Sequence, residues 1–316
     1  MVKCQICNQN PICTKTNEGK LICKSCFLDR IERIVHECIV EYQLIQPTDH
    51  IVIGVSGGKD STALATLLHR IEQRWPTGAK YTLVAVDEGI VGYRDKSLDC
   101  VRWLQNYLQL PLEIISYKDI YGLTMDDIVK LGGRNACSYC GVLRRQCLEK
   151  VAMKINANVI ATGHNGDDVA ETILMNFLRG DVKRLEQCKS LKREKQLEDD
   201  LIVRIKPFSL LTQKEVVLYA HYLKLNYFSF ECTYAGTAFR GNARMFLQET
   251  QIQFPAIVKN CVISNEQVKG NLKTFQLKKS QPCTLCGMKA SSSVCQACKM
   301  IDELKQSLPK VTINDN

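Results

Sequence analysis

The run Ser56-Gly57-Gly58-Lys59-Asp60-Ser61 decides how this chain is read. It follows a short apolar stretch, Ile51-Val52-Ile53-Gly54-Val55, and opens a segment with Leu64, Leu67, Leu68 and Ile71 at helical spacing. A strand, a glycine turn and a helix in that order bring unpaired backbone N–H groups and a helix N-terminus to one point, which attracts phosphate. The two glycines let the backbone approach an anion closely, Lys59 adds a point charge, and Ser56 and Ser61 add hydroxyl donors. The spacing differs from G-x-x-x-x-G-K-S/T, so this is not the phosphate loop of kinases and GTPases. An ordinary turn between a strand and a helix would not need all six positions.

Around that loop the sequence alternates strand-like and helix-like segments, which predicts an α/β fold with a parallel sheet and right-handed crossovers. Strands are expected at 51–55, 81–86, 111–116, 158–162 and 201–206, and helices at 28–43, 60–74, 95–108, 142–156, 167–178, 213–224 and 241–251. Thr212 followed by Glu215 reads as a capping box before Val216-Val217. In such sheets ligands gather at the C-terminal strand ends. Those ends carry Ser56–Ser61, Asp87-Glu88-Gly89 and Gly163-His164-Asn165, so three polar clusters should meet in one crevice. The charged stretch 181–200 reads as a mobile surface loop.

The chain has 316 residues, 45% of them hydrophobic, enough for a large core and small appendages. No stretch approaches the roughly 18 to 20 apolar residues of a membrane span, and Met1-Val2-Lys3-Cys4 shows no apolar leader, so a cytosolic protein is expected. Net charge is +9, and residues 269–310 hold eight lysines against Asp302 and Glu303. That segment suits either a polyanion or a plain solvated surface.

Seventeen cysteines without a leader argue for metal or redox chemistry rather than disulfides. Cys4-x-x-Cys7 with Cys23-x-x-Cys26, and Cys283-x-x-Cys286 with Cys295-x-x-Cys298, each make two knuckles that complete a tetrahedral Zn²⁺ site; Cys13 is a spare thiol near the first. These sets divide the chain into an N-terminal zinc finger (1–27), a catalytic domain (28–265) and a C-terminal zinc ribbon with a basic tail (266–316). A third pair, Cys137-Ser138-Tyr139-Cys140, has no second knuckle. Cys147 reads as a packed helix residue, and Cys232 stands at the end of a strand-like segment. Two plus one gives three thiolates and an open fourth position, the arrangement of a reactive metal.

With these pieces in place the chain resembles the tRNA 2-thiolation family of the PP-loop ATP pyrophosphatase superfamily, most of all its eukaryotic cytoplasmic catalytic branch. The likeness runs from the N-terminal knuckles through Ser56–Ser61, Val86-Asp87-Glu88-Gly89-Ile90, Cys137–Arg145 and Ala161–Asp168 to Glu231-Cys232, Arg240–Arg244, the C-terminal ribbon and Leu308-Pro309-Lys310. The resemblance implies ATP on Gly54, Ser56, Gly57, Gly58, Lys59 and Ser61, Mg²⁺ near Asp60, and Asp87 and Gly163 flanking the nucleoside. It implies Arg144 as an ATP contact, and Asp168 as an acid that assists catalysis; the residues alone also allow Asp168 to be a helix N-terminal carboxylate. It implies a 4Fe-4S cluster on Cys137, Cys140 and Cys232 with one iron open to sulfide. The implied reaction adenylates the wobble uridine at O2 and then exchanges AMP for sulfur at C2. The sulfur would come from a ubiquitin-like thiocarboxylate protein, with a second thiolation subunit or a homodimer as the assembly. Family members can carry His at Cys26 and Lys at Arg144. Guanidinium stays protonated, so Arg144 can bind phosphate but cannot serve as a base.

Two other readings compete. A different PP-loop modification, such as lysidine formation or nucleotide amidation, would not need Cys232, and a zinc-ribbon RNA scaffold would bind tRNA without turnover. A persulfide could also take the cluster's place on the same cysteines. If the lysine-rich segment grips RNA, replacing Lys273, Lys278 and Lys279 with Glu weakens tRNA binding and flattens its salt dependence while ATP binding persists. Unaltered tRNA affinity in a filter-binding titration would remove the segment from the interface.

Overall fold

Ile51, Val52 and Ile53 have no exposed surface, because their strand lies in the middle of a sheet covered on both faces. The structure is a computed structural model that describes residues 3–9, 14–16, 19–132, 136–188, 191–193, 202–229, 232–234, 240–268 and 279–306. Cys13, Glu231 and four of the eight C-terminal lysines (269, 273, 278 and 310) lie outside the described residues.

The sheet order is β5-β4-β3-β6-β7, all parallel, from Leu112–Ser116, Lys80–Asp87, His50–Gly54, Val159–Ala161 and Val203–Ile205. Each coincides with a strand expected from the sequence, with ends moved by a residue or two. Alternate side chains of β3 enter different layers. Ile51 and Ile53 meet helices α1 (Lys24–Glu41), α2 (Lys59–Arg74) and α9 (Gln213–Tyr222), while Val52 joins Val84 and Ile160 against Leu148 and Val151 of α6 (Ala136–Lys154). The chain builds β4 and β5 on one side of β3, then returns to build β6 and β7 on the other. The crevice of such a sheet opens at that reversal, outside the C-terminal ends of β3 and β6. The Thr212–Glu215 capping box is present at the start of α9.

Two short hairpins carry the paired knuckles: β1 (Thr14–Lys15) with β2 (Leu21–Ile22), and β8 (Gln281–Pro282) with β9 (Lys289–Ala290). Cys4, Ile22 and Cys23 are buried in the same apolar cluster as β3 and α2. At the other end α12 (Gln296–Gln306) packs Ala297, Ile301 and Leu304 against Leu143 and Cys147 of α6 and against two short helices, α4 (Tyr117–Tyr121) and α5 (Met125–Lys130). Helices α7 (Gly166–Leu178), α10 (Arg240–Gln253) and α11 (Ile257–Val268) pack together beside the crevice, and α3 (Arg94–Leu108) flanks β4.

The stretch 181–200, expected to be a mobile loop, is anchored where it is described. It opens with α8 (Val182–Gln187), buries Cys188 and Leu191, and sends Arg193 to the buried Asp49 in two hydrogen bonds of 2.7 and 3.1 Å. Burial pushes the Asp49 carboxyl up, but Arg193, the Gln46 N–H and the Asn158 amide outweigh it and hold the pKa below the ordinary value. A depressed pKa makes this pair's stabilisation present above about pH 4 and lost as pH falls through the folded-state value. Arg193→Leu should therefore cost about 3 kcal/mol at pH 7 by leaving a buried carboxylate unpaired. The deficit should shrink as pH is lowered below about 4, through the folded-state value; urea midpoints that differ equally at pH 7 and at about pH 3 would refute the anchoring role.

Candidate active site

The C-terminal ends of β3 and β6 border a cavity of about 370 Å³. Its walls include Gly54, Ser56, Asp60 and Ser61 from the loop and α2, Gly163, His164 and Asp168 after β6, Glu88 after β4, Arg144 of α6 and Arg240 of α10. The loop is built by its own hydroxyls. The Ser56 N–H donates to Ser61 Oγ (3.1 Å), and Ser61 Oγ donates to the Gly58 carbonyl (3.1 Å). Gly57 has φ +74°, and a Cβ there would meet the Ser97 carbonyl at 2.3 Å, so only glycine fits. Gly163 touches the start of α2 so closely that a Cβ would stand 2.9 Å from the Asp60 carbonyl carbon. That contact sets the crevice's depth.

Lys59 turns to Asp60, with N–O distances of 2.8 and 2.7 Å to its two carboxylate oxygens. Asp87, beside the cavity, accepts from the Gly89 N–H (2.8 Å) and lies 3.7 Å from Arg94. Asp168 plays the capping role at α7: the Asn165 N–H donates to its carboxylate, and its own N–H donates to Asn165 Oδ1, both at 3.2 Å. Its other oxygen faces the cavity 3.8 Å from Arg240. Burial, then the charge of Asp60, raise the Asp168 pKa, against the pull of Asn165, Arg240 and Lys59. His164 shares a hydrogen bond with Thr162 Oγ1 (2.9 Å). Enclosure by the cavity walls, with Lys206 and Arg240 near, holds the His164 pKa well below the usual imidazole value, although the ring remains open on its solvent side. The ring is neutral at pH 7.

The pair Cys137 and Cys140 lies on the first turn of α6, which begins at Ala136 rather than near 142. Gly141 looks like a break in the sequence, yet a single glycine costs a helix only about 1 kcal/mol. The helix aligns Cys140 with Arg144, one turn on. The Arg144 guanidinium donates to Cys140 Sγ at 3.1 Å, and the same nitrogen forms an ion pair with Glu88 at 2.8 Å. Tyr117 donates to the Cys140 carbonyl (2.8 Å). Burial raises the Cys140 pKa, while Arg144 opposes the rise and the charges of Glu88 and Cys232 add to it. Cys137 is exposed and donates to the Tyr234 carbonyl (3.6 Å). Cys140 and Cys232 pack against one apolar cluster, Cys137 reaches the Tyr234 carbonyl, and Cys140 meets Arg144, which lines the cavity; the cavity walls themselves do not include the three cysteines.

Sulfur spacing separates this group from the other two. Cys4, Cys7, Cys23 and Cys26 lie with all sulfurs within 4.8 Å of one another, as do Cys283, Cys286, Cys295 and Cys298. The Cys7–Cys23 and Cys286–Cys295 distances of 3.8 and 3.7 Å match the ~3.8 Å edge of a thiolate tetrahedron with bonds of about 2.3 Å to zinc. Backbone N–H groups point at sulfur, from Ile6 to Cys4 (3.4 Å) and from Cys295 to Cys283 (3.3 Å). Both sets fit a single metal ion. Cys137, Cys140 and Cys232 do not close to that spacing, which sets them apart from the two four-cysteine groups.

Two cavity residues, Glu88 and Arg240, are placed by the sequence only within longer motifs, the crevice cluster Asp87-Glu88-Gly89 and the stretch Arg240–Arg244, with no role of their own. Glu88 follows Asp87 directly, but its value lies in being 7% exposed, which no sequence pattern shows. Arg240 and Arg244 both grip Glu171, which is 1% exposed, at 3.1 and 2.8 Å; their four-residue spacing on one helix face was the available signal.

A family model described as a PP-loop domain matches residues 27–249. The chain is 42% identical over 314 residues to the Xenopus laevis protein named cytoplasmic tRNA 2-thiolation protein 1, covering 99% of this chain and 91% of that one. It is 41% identical over 319 residues to the Dictyostelium discoideum protein of the same name, covering 99% and 86%. A solved structure of the U34-tRNA thiolase NcsA from Methanococcus maripaludis, with its 4Fe-4S cluster, superposes with a TM-score of 0.82 at 29% identity, covering 96% of this chain and 97% of that one. Similarity of that extent, on a parallel sheet with the glycine loop at its reversal, means that this chain belongs to the cytoplasmic tRNA 2-thiolation protein 1 family of PP-loop proteins.

Proposed function

We propose that this protein is the catalytic subunit of an ATP-dependent, cytoplasmic tRNA uridine 2-sulfurtransferase that acts at the wobble position. The observation that carries this reading is Arg144, which lines the phosphate-loop cavity and also touches Cys140 at 3.1 Å, so nucleotide and reactive thiols share one guanidinium. ATP would rest on Gly54, Ser56, Gly57, Gly58, Lys59 and Ser61, with Mg²⁺ at Asp60 and the nucleoside between Asp87 and Gly163. The uridine O2 attacks the α-phosphorus, forming an O–P bond as the bond to pyrophosphate breaks. Sulfide then adds at C2 and the C2–O bond breaks, releasing AMP; no electrons change hands. The first step moves negative charge onto pyrophosphate and the second from sulfur onto the AMP oxygen, and fixed donors such as Lys59, Arg144 and the loop N–H groups would supply the stabilisation. Asp168, with its raised pKa, would hold the proton that leaves the uracil.

Cys137, Cys140 and Cys232 would hold the 4Fe-4S cluster, which supplies an iron with an open position for sulfide. The two four-cysteine sets would hold structural Zn²⁺ in the N-terminal finger and the C-terminal ribbon, which flank the central catalytic domain. The sulfur source would be a ubiquitin-like thiocarboxylate protein, and a second thiolation subunit or a second copy would complete the assembly.

Anaerobic incubation of iron-reconstituted protein with ATP, sulfide and tRNA, followed by nucleoside digestion, should yield 2-thiouridine. Cys140→Ser should abolish that product while ATP affinity changes by less than about twofold, since the thiol is off the phosphate loop. Tight tRNA binding without product from the unsubstituted protein would instead indicate a scaffold.

Glu88→Gln should leave Arg144 charged but poorly oriented, slowing turnover roughly tenfold to a hundredfold, the equivalent of a charge-assisted hydrogen bond. Unchanged kcat and KM for ATP would show that Glu88 has no positioning role.

A further inference from the structure

Gln146 is a buried amide on α6 whose donor faces the C-terminal cysteines. Its Nε2 lies 3.2 Å from Cys295 Sγ and 4.0 Å from Cys286 Sγ. Its Oε1 faces Tyr121 Oη (2.9 Å), whose hydroxyl also reaches the Leu143 carbonyl (3.2 Å); the sulfur side sets the orientation, since turning the amide over would aim a carbonyl at a thiolate. Gln146 lies six residues beyond Cys140, or about 9 Å along the helix. Helix α4 secures both points: Tyr117 holds the Cys140 carbonyl and Tyr121, one turn on, holds Gln146. Cys147 adds a contact to Tyr121 (3.7 Å), and the face of α12 closes over this region.

We propose that Gln146 is a positioning residue through which the C-terminal metal set supports the turn of α6 bearing Cys137, Cys140 and Arg144. The inference rests on the reading above only for what those three residues do, and its geometry stands without it. A metal-bound cysteine carries negative charge, so the Gln146 bond to Cys295 is charge-assisted when the ion is in place and weak when the thiol is neutral. The hairpin of the ribbon has few apolar residues of its own, and a bound ion would add to its stability. Loss of the ion would therefore loosen the hairpin and the Gln146 amide together, while the apolar face of α12 keeps its packing on α6. Among the described contacts, the first turns of α6 then keep those of Tyr117, Arg144 and the Tyr234 carbonyl. The ribbon thus acts on the reactive cysteines directly, besides any contact it makes with RNA.

The test uses the full chain loaded with Zn²⁺ and the Gln146→Met variant, which keeps volume but cannot donate. Transfer of Zn²⁺ to a colorimetric chelator should show one of two ions held 10- to 100-fold more weakly, the usual effect of removing an outer partner, with the other unchanged. Iodoacetamide labelling of Cys140, read by peptide mass spectrometry without iron, should be on the order of tenfold faster. Cys298→Ala, which removes a ligand outright, should speed Cys140 labelling at least as much, so the proposal does not depend on how one variant folds. Neither readout requires thiolation, so failure of the activity assay would leave this result intact. Two zinc ions held as in the unsubstituted protein, or weakened ribbon zinc with Cys140 labelling unchanged in both variants, would overturn the proposal.

Discussion

The arrangement of the site depends on one guanidinium serving two partners. Glu88 is a buried acid, and a carboxylate in that position is costly unless a cation meets it. Its backbone is fixed from below, since the Glu88 carbonyl accepts the Met125 N–H at 2.7 Å, so the acid cannot swing out to find water. Arg144 must come to it. Having come, its planar fork still has donors for Cys140 and a face on the cavity. The ion pair thereby ties the end of β4 to the first turn of α6, and with them the nucleotide side of the site to the thiol side. One guanidinium nitrogen meets both carboxylate and sulfur, which leaves the rest of the group to face the cavity.

The three cysteine groups show how spacing separates structural metal from reactive chemistry. In both closed sets a sulfur–sulfur distance matches the edge length that one zinc ion would dictate, backbone amides donate to sulfur, and the second knuckle stands at the start of the helix that follows a hairpin. Such a site has every position filled. The third group draws its thiols from a helix turn and from a segment far along the chain, leaves Cys137 exposed, and spreads its sulfurs beyond single-ion contact. The polar partners there, Arg144, Tyr117 and the Tyr234 carbonyl, surround sulfur without enclosing it.

Much of this was legible in the sequence because the signals are local. The phosphate loop is six consecutive residues, and the central strands are continuous apolar runs. The paired knuckles have fixed spacing. What escaped depends on burial or on long-range contact. Helices α4 and α5 are too short for a periodic pattern to register, and the true start of α6 was hidden by Gly141, where the open space around the glycine allows the helix to continue. Arg193 looked like one charge among many in a solvated loop; only its meeting with Asp49, 144 positions earlier, makes it an anchor. Asp168 shows the opposite case. The sequence allowed a helix-capping carboxylate or a catalytic one, and the structure gives one oxygen to the cap and turns the other towards the cavity.

Charge balance along the cavity bears on how a nucleotide would enter. Lys59 pairs with Asp60 at 2.7 Å, Arg144 with Glu88 at 2.8 Å, and Arg240 with Glu171 at 3.1 Å and Asp168 at 3.8 Å. A triphosphate that took these cations for itself would strand carboxylates in a partly buried wall, at a cost of several kcal/mol for each one left unpaired. On the proposed reaction the anion must therefore bring compensation with it. A divalent cation would do so: Asp60, freed if Lys59 turned to the phosphates, is the carboxylate that would hold it, and its charge would then weigh less on the nearby Asp168. Glu88 and Glu171 differ in kind. Each is almost fully buried, and Glu171 keeps a second arginine, Arg244, whatever Arg240 does. On that reading those two acids would hold their cations in place, whereas Asp60, the more exposed one, would be the acid that changes partner.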